Sequence, residues 1–434
     1  MTESVRVWSS YPSDFVGYES MAGGRDRQRG TWPMGHHSQM LTDLRSAAEA
    51  ILPEVIETRR RIHRRPEIGL QLPETQAVVA DALRGLGLEP RLGGATTSAT
   101  ATIEGSRPGP TILLRADMDG LPLREDSGLG FASEIDGAMH ACGHDTHVAM
   151  LLGAARLLVE RRDRLAGKVL LMFQPGEEGY HGAQIMLDEG LLEGGEVTRA
   201  VALHISTRYA SGVVAVRAGA MLASADRIVA TVRGRGGHAS TPHLALDPIT
   251  VAAEFVLALQ TAVTRRVDVF DPAVITIARI SGGTTNNIIP DAVEIEGTIR
   301  TISPGRRAAI AALVQQVADG LAAAHGATID LQIVPGYPVT VNDREVVAWF
   351  RGLASDLAGE SAVDDLEAPV MGAEDFSYVI ERVPGMMAFL GARPASEDPE
   401  TAPQNHSNLV VFEEAPMALG VALYAAAALD FLGD

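Results

Sequence analysis

Three short apolar runs constrain this chain most: residues 111–114 (TILL), 169–173 (VLLMF) and 201–203 (VAL). None is long enough for a helix and none alternates with polar residues. That is the pattern of strands buried on both faces of a parallel sheet. Between the first two, Val148, Leu151, Leu152, Ala155, Leu158 and Val159 recur at helical spacing across residues 147–159. Strand, helix, strand at this separation predicts a doubly wound α/β sheet. An earlier helical pattern covers residues 41–64.

The rhythm changes near Ala220. Strands are predicted over 227–232, 274–280, 293–301 and 328–334. Helices are predicted over 247–264, with Asp247 as cap and Pro248 in the first turn, and over the Ala-rich stretch 304–325. The order βαββαβ is the split ferredoxin-like pattern. We therefore expect an inserted α+β domain at 220–335, within a body formed by 41–219 and 336–434. Residues 1–40 show no apolar period and are expected to form a disordered extension. His36 and His37 fall within it and read as an incidental pair.

Composition narrows the partners. A chain of 434 residues suggests two domains. With 55 acidic against 36 basic residues the net charge is −19, which argues against nucleic acid or an anionic membrane. No apolar run reaches the roughly 18 residues needed to span a bilayer. The first residues lack a basic segment followed by an apolar one, the pattern of a secretory signal. A single cysteine, Cys142, cannot form an internal disulfide. A cytoplasmic protein with a small-molecule substrate is the expectation.

Polar clusters follow the apolar runs directly: RADMDGLP after the first, QPGEEGYHGA after the second and His204 after the third. Ligands of open α/β sheets bind beyond the carboxyl ends of the strands, so these groups converge. A fourth cluster, MHACGHDTH at 139–147, precedes a helix. Thiolate and imidazole both suit borderline divalent metals. On its own, Cys142 reads as a ligand, as a buried structural cysteine or as a nucleophile with His144 as base. The adjacent Glu177 and Glu178 are either solvated loop carboxylates or a divided pair, one holding a metal and the other serving as general base.

Taken together, these motifs resemble the metal-dependent N-acyl-amino-acid amidohydrolases: hippurate hydrolases, aminoacylases and indole-acetyl-amino-acid hydrolases, related to carboxypeptidase G. The resemblance spans about residues 50–430. It is carried by RADMDGLPL at 115–123, MHACGHDTH, FQPGEEG at 173–179 and His204. It continues through GRGGHAS at 234–240, NNIIPD from Asn286, GTIRT from Gly297, GAEDFS at 372–377 and NHSN at 405–408. The implied fold is a doubly wound, two-metal exopeptidase-like catalytic domain with a ferredoxin-like lid and dimerisation insert. The implied reaction is hydrolysis of the amide bond in N-acyl amino acids or related small conjugates, through a metal-bridged water activated by Glu177. A dipeptidase or carboxypeptidase-type exopeptidase is the alternative. A non-catalytic metal or conjugate binder is a third reading, against which an intact Glu177 counts.

The resemblance also implies roles residue by residue. Cys142, His144, Glu178, His204 and His406 would hold two divalent ions per subunit (zinc, manganese, cobalt or nickel). His238 would stabilise the oxyanion, often in the partner subunit's site, within a homodimer or dimer of dimers. Asn287 and Arg300 would contact the substrate carboxylate or carbonyl, and Asp119 would orient a ligand histidine. Asp117 stands where wider relatives carry a histidine pattern and is left outside the ligand set. Other departures from the family pattern place Tyr180, His181 and Arg208 near the substrate pocket. Glu374 and Asp375 read as structural.

Overall fold

The apolar runs are strands covered from both sides. Ile112, Leu114, Val169, Leu171, Val201 and Leu203 enter one core cluster, while Leu113, Met172, Ala200 and Ala202 enter another on the opposite face. Successive side chains of a strand point to opposite faces, so a strand between two cores shows no polar alternation. The structure, a computed structural model, describes residues 34–433.

The chain begins with α1 (Met34–His63) and α2 (Pro73–Gly85), then β1 (Arg91–Leu92), β2 (Ala99–Glu104) and β3 (Arg107–Asp117). Next come α3 (His144–Val159), β4 (Ala166–Gln174), α4 (Gly182–Asp188), β5 (Val197–Ala210), β6 (Val214–Val216) and β7 (Gly219–Leu222). The middle segment holds β8 (Asp226–Arg233), β9 (Gly237–His238), α5 (Pro248–Arg266), β10 (Ala273–Ser281), β11 (Ile288–Ile289), β12 (Ala292–Thr301), α6 (Pro304–His325) and β13 (Thr328–Val334). The last part supplies β14 (Thr340–Asn342), α7 (Arg344–Ala358), β15 (Val363–Asp365), α8 (Ser377–Ile380), β16 (Gly385–Arg393) and α9 (Met417–Leu432).

One eight-stranded sheet runs β1-β2-β4-β3-β5-β16-β6-β15. Its centre is parallel: β4 with β3, β3 with β5, and β5 with β16. Helices α1, α3 and α9 pack against one another on one face, and α4 meets α8. The middle segment forms a separate antiparallel sheet in the order β10-β12-β8-β13. Phe255 and Leu259 of α5 and Val314 of α6 share a core there with Ile228, Val232 and Ile295 of the strands. Asp247 caps α5 by accepting from Ile249 N, and Ser303 caps α6 by accepting from Arg306 N. The two crossings between the sheets lie side by side. Leu222 of β7 pairs with Thr340 of β14, and Ala225 N donates to Tyr337 O at 3.0 Å.

Two elements depart from expectation. Residues 34–40 are helical, where an extension without structure was expected. Met40 is buried, Thr42 Oγ1 donates to Ser38 O, and His37 lies 3.2 Å from Asp430 of α9. The cause is packing against the far end of the chain, which no local pattern announces. The rest of the expected extension, residues 1–33, lies outside the described residues. Strand β5 also continues past His204 to Ala210, because β16 pairs with it through His204, Ile205 and Ser206. Among the described residues no helix is long and apolar enough to cross a membrane.

Candidate metal centre and active site

Four parts of the chain deliver the site. Cys142 lies just before α3, and His144 is its first residue. Between them Gly143 adopts φ +86°, and a Cβ there would meet Ile205 Cγ2 at 2.4 Å. Glycine is therefore required on both backbone and packing grounds. His204 comes from β5, and Glu177 and Glu178 follow β4. His406 sits in a loop with φ +70°, left-handed backbone that costs energy in a residue with a Cβ. Its backbone N–H donates to Ala141 O, and Asn405 Nδ2 donates to Cys142 O and Ile205 O. These bonds hold the loop in that conformation.

Cys142 Sγ lies 3.2 Å from His406 Nε2 and 3.4 Å from His204 Nε2, and His406 Nε2 is 3.1 Å from Glu178 Oε1. Cys142, His144 and His204 offer ligand atoms within 4.8 Å of one another, and so do Cys142, Glu178 and His406. Whether these groups fit a metal is decided by their lone pairs. His204 Nδ1 donates to Ile205 O, so its Nε2 presents a lone pair to the sulfur. Burial, with His147 alongside, holds the His204 imidazole well below its usual range, which keeps it neutral. His144 is fully buried with neither ring nitrogen in a hydrogen bond. Burial raises the Cys142 thiol, so without a cation these donors gather this closely only with protons among them, which a bound divalent ion would replace. One thiolate, three imidazoles and a carboxylate suit zinc and similar ions.

Glu177 lines the same cavity, which measures about 590 Å³. Burial first, then the charges of Glu374, Glu178 and Asp375, push its carboxyl well above the usual range. A carboxyl raised in this way is suited to taking up and returning a proton near neutral pH. Asp119 does more than sequence suggests. It lies 3.5 Å from His144 Nδ1, yet its hydrogen bonds are to backbone: Glu177 N to Oδ1 at 3.0 Å and Glu178 N to Oδ2 at 3.1 Å.

Behind the site lies a buried polar cluster. Arg115 donates to Asp117 at 2.8 Å, to Glu374 at 2.7 Å and to Gln174 at 2.9 Å. Gln174 Nε2 and Ala183 N both donate to Asp375. Glu374 and Asp375 thus have the structural partners expected of them, though Glu374 also borders the cavity. The guanidinium of Arg115 was not legible as their partner, because 259 residues separate it from Glu374.

Arg300 and Arg208 line the cavity, as do Tyr209, Phe389 and Tyr337. Tyr180 and His181 do not. Tyr180 stacks over Gly69, and His181 bonds Tyr378 Oη at 3.0 Å. His238 and Asn287 are likewise absent. They border a second cleft in the middle segment, where His238 is exposed and Asn287 O accepts from Ala239 N.

Residues 113–430 match the peptidase family M20/M25/M40, and the chain belongs to that family. A thermostable carboxypeptidase of Saccharolobus solfataricus is 39% identical over 396 residues, spanning 90% of this chain and 99% of the relative. An N-acetyl-L-cysteine deacetylase of Bacillus subtilis is 39% identical over 339 residues, spanning 78% and 80%. A solved dinuclear metal binding peptidase of the M20 family from Bacillus subtilis superimposes with a TM-score of 0.76 at 32% identity, spanning 88% of this chain and 99% of that one. This chain is accordingly a metal-dependent amide hydrolase with a divalent-metal site.

Proposed function

We propose that the chain hydrolyses the amide bond of N-acyl amino acids or similar small conjugates. The observation that carries this is the buried Glu177 carboxyl beside a cluster of five ligand-type side chains. The divalent pair would be held by Cys142, His144, Glu178, His204 and His406, and would supply a Lewis acid and a lowered water pKa. Zinc fits the thiolate best, with manganese, cobalt and nickel also able to occupy such donors. Glu177 accepts the proton of the attacking water and delivers it to the leaving amine. Asp119 keeps the Glu177 backbone in place.

Arg300 supplies a guanidinium fork for the substrate carboxylate. Tyr209 and Phe389, with ring centroids 5.7 Å apart, give the acyl group an apolar wall. His238 and Asn287 do not line this cavity and border a separate cleft of the middle segment. We assign them to the site of a second copy in a dimer, where His238 donates to the developing oxyanion. The middle segment would then be both lid and dimer surface. A cytoplasmic setting fits a lone cysteine held as a thiolate.

The test is turnover of N-acetyl and N-benzoyl amino acids with and without chelator. Glu177→Gln should lower kcat by about 10²–10⁴-fold, the usual worth of a general base. Full activity in that variant would sink the mechanism. The carboxypeptidase relative favours one second reading, removal of a C-terminal residue from a peptide. Faster cleavage of acyl dipeptides than of acyl amino acids would select it.

A further inference from the structure

Tyr337 is where the chain re-enters the body from the middle segment. Its phenol oxygen reaches back to the turn that carries the two glutamates. Tyr337 Oη donates to Glu177 O at 2.5 Å and accepts from Gly179 N at 2.7 Å, with His181 N at 3.5 Å. From the other side Asp119 takes the N–H groups of Glu177 and Glu178. The N–H groups of three successive residues and the intervening Glu177 carbonyl are therefore held between two side chains. Gly176 and Gly179 flank the turn at φ +70° and +90°, so its own backbone resists bending little.

We propose that Tyr337 is a positioning residue for the base: with Asp119 it fixes the Glu177–Glu178 turn, and so the placement of the Glu177 carboxyl beside the ligand-type side chains His144 and Glu178. The proposal rests on Glu177 being the base. A direct proton-transfer role for Tyr337 is the obvious rival, since the ring lines the cavity. Counting bonds decides against it. A phenol has one proton and two acceptor sites. The proton is on Glu177 O, and the acceptors face Gly179 N and His181 N. Burial, reinforced by the Asp375 and Glu177 charges, also raises the phenol's pKa, so the proton stays. Donating it to substrate would release the carbonyl of the base.

The residue around which this contact turns is itself tied down. Gly336 N donates to Asp226 Oδ1 at 3.0 Å, and Gly336 O accepts from Arg307 Nη2 at 2.8 Å and Tyr378 Oη at 3.2 Å. A Cβ on Gly336 would lie 1.9 Å from Ala225 O. The clamp on the base therefore starts from a fixed point of the crossing between the two sheets, and not from a mobile loop.

The experiment compares Tyr337→Phe, Tyr378→Phe and Glu177→Gln in the metal-loaded full chain on one acyl-amino-acid substrate. Tyr337→Phe should lower kcat about tenfold or more, the scale of a sub-ångström to 1 Å misplacement, with KM changed less than about twofold and bound metal unchanged. Hydrogen exchange of the peptide containing Gly179 should speed up. Tyr378→Phe makes the same chemical change in the same crossing but touches neither Glu177 nor Gly179. Gly336 keeps its shorter bonds to Arg307 and Asp226 in that variant, so kcat should stay within about twofold. Para-aminophenylalanine at 337, which restores a donor to Glu177 O, should recover part of the lost kcat, and it stands in if the Phe variant does not fold. Parental kcat in Tyr337→Phe while Glu177→Gln is inactive would overturn this inference alone, as would an equal loss in Tyr378→Phe. Activity in Glu177→Gln would instead overturn the reading of the base.

Discussion

The Nε2 of His147 accepts the backbone N–H of Ile205 at 2.7 Å. A ring nitrogen that accepts carries no proton, so Nδ1 holds it and donates to Asp117 Oδ1 at 2.5 Å. Burial, the largest influence on this imidazole, favours the same neutral form. His147 is thus committed at both nitrogens, although it lies among metal-ligand side chains.

His147→Phe should therefore keep the parent's bound metal. It should lose on the order of 3 kcal/mol of stability, because the Ile205 N–H and Asp117 Oδ1 lose their buried partner, while Arg115 still holds Asp117 Oδ2. Urea unfolding and elemental analysis check the two halves. Loss of a metal equivalent at parental stability would make His147 a ligand.

Burial pushes the His63 imidazole down, but the Asp145 charge and the hydrogen bonds it donates to Asp145 and Glu125 outweigh this and raise it to about 9. Its usual value is about 6.5. A folded-state pKa above the unfolded one gives stability that is full below about pH 6.5 and lost as pH rises through about 9. The urea midpoint should fall across that window and fall less in His63→Gln. Parallel pH profiles would refute the assignment.

Gly143→Ala forces a methyl group towards Ile205 Cγ2 and strains a left-handed backbone. The strain alone is worth about 1–3 kcal/mol. Cys142 and His144 flank the residue, so the cost should appear as faster metal loss to a chelator as well as a lower Tm. Metal retention equal to the parent's would show that the ligands move independently of this turn.

His238→Ala and Glu177→Gln should each be inactive, yet mixing them under subunit exchange should restore about a quarter of parental activity. Half the random dimers are mixed, and each has one site with both an intact base and an intact partner histidine. No recovery despite proven exchange would place His238 outside the partner's site.

Much of this site was legible because its residues sit at the ends of elements with strong local patterns. Glu177, Glu178 and His144 follow apolar runs or open a helix, and Pro304–His325 ends where its pattern ends. What stayed hidden depends on distant segments. Residues 34–40 are helical because of α9, and Arg115 answers to Glu374 across 259 residues. No local pattern marks Tyr337, since its partner Glu177 is 160 positions away. Departure from the family pattern points Tyr180 and His181 towards the pocket. The turn at His181, with φ +59°, directs them elsewhere.

Strand β16 lies inside the sheet, between β5 and β6, and α9 is almost wholly buried against the opposite helices. A ribosome delivers both after β5 and the whole middle segment have been made. Until then β5 has an open edge and the cluster around Val148 and Leu151 lacks its cover. The middle segment has its own core and can fold during synthesis, but the body must wait with a gap in its centre. Loss of even the final helix should therefore produce aggregated chain in cells, not a shortened enzyme.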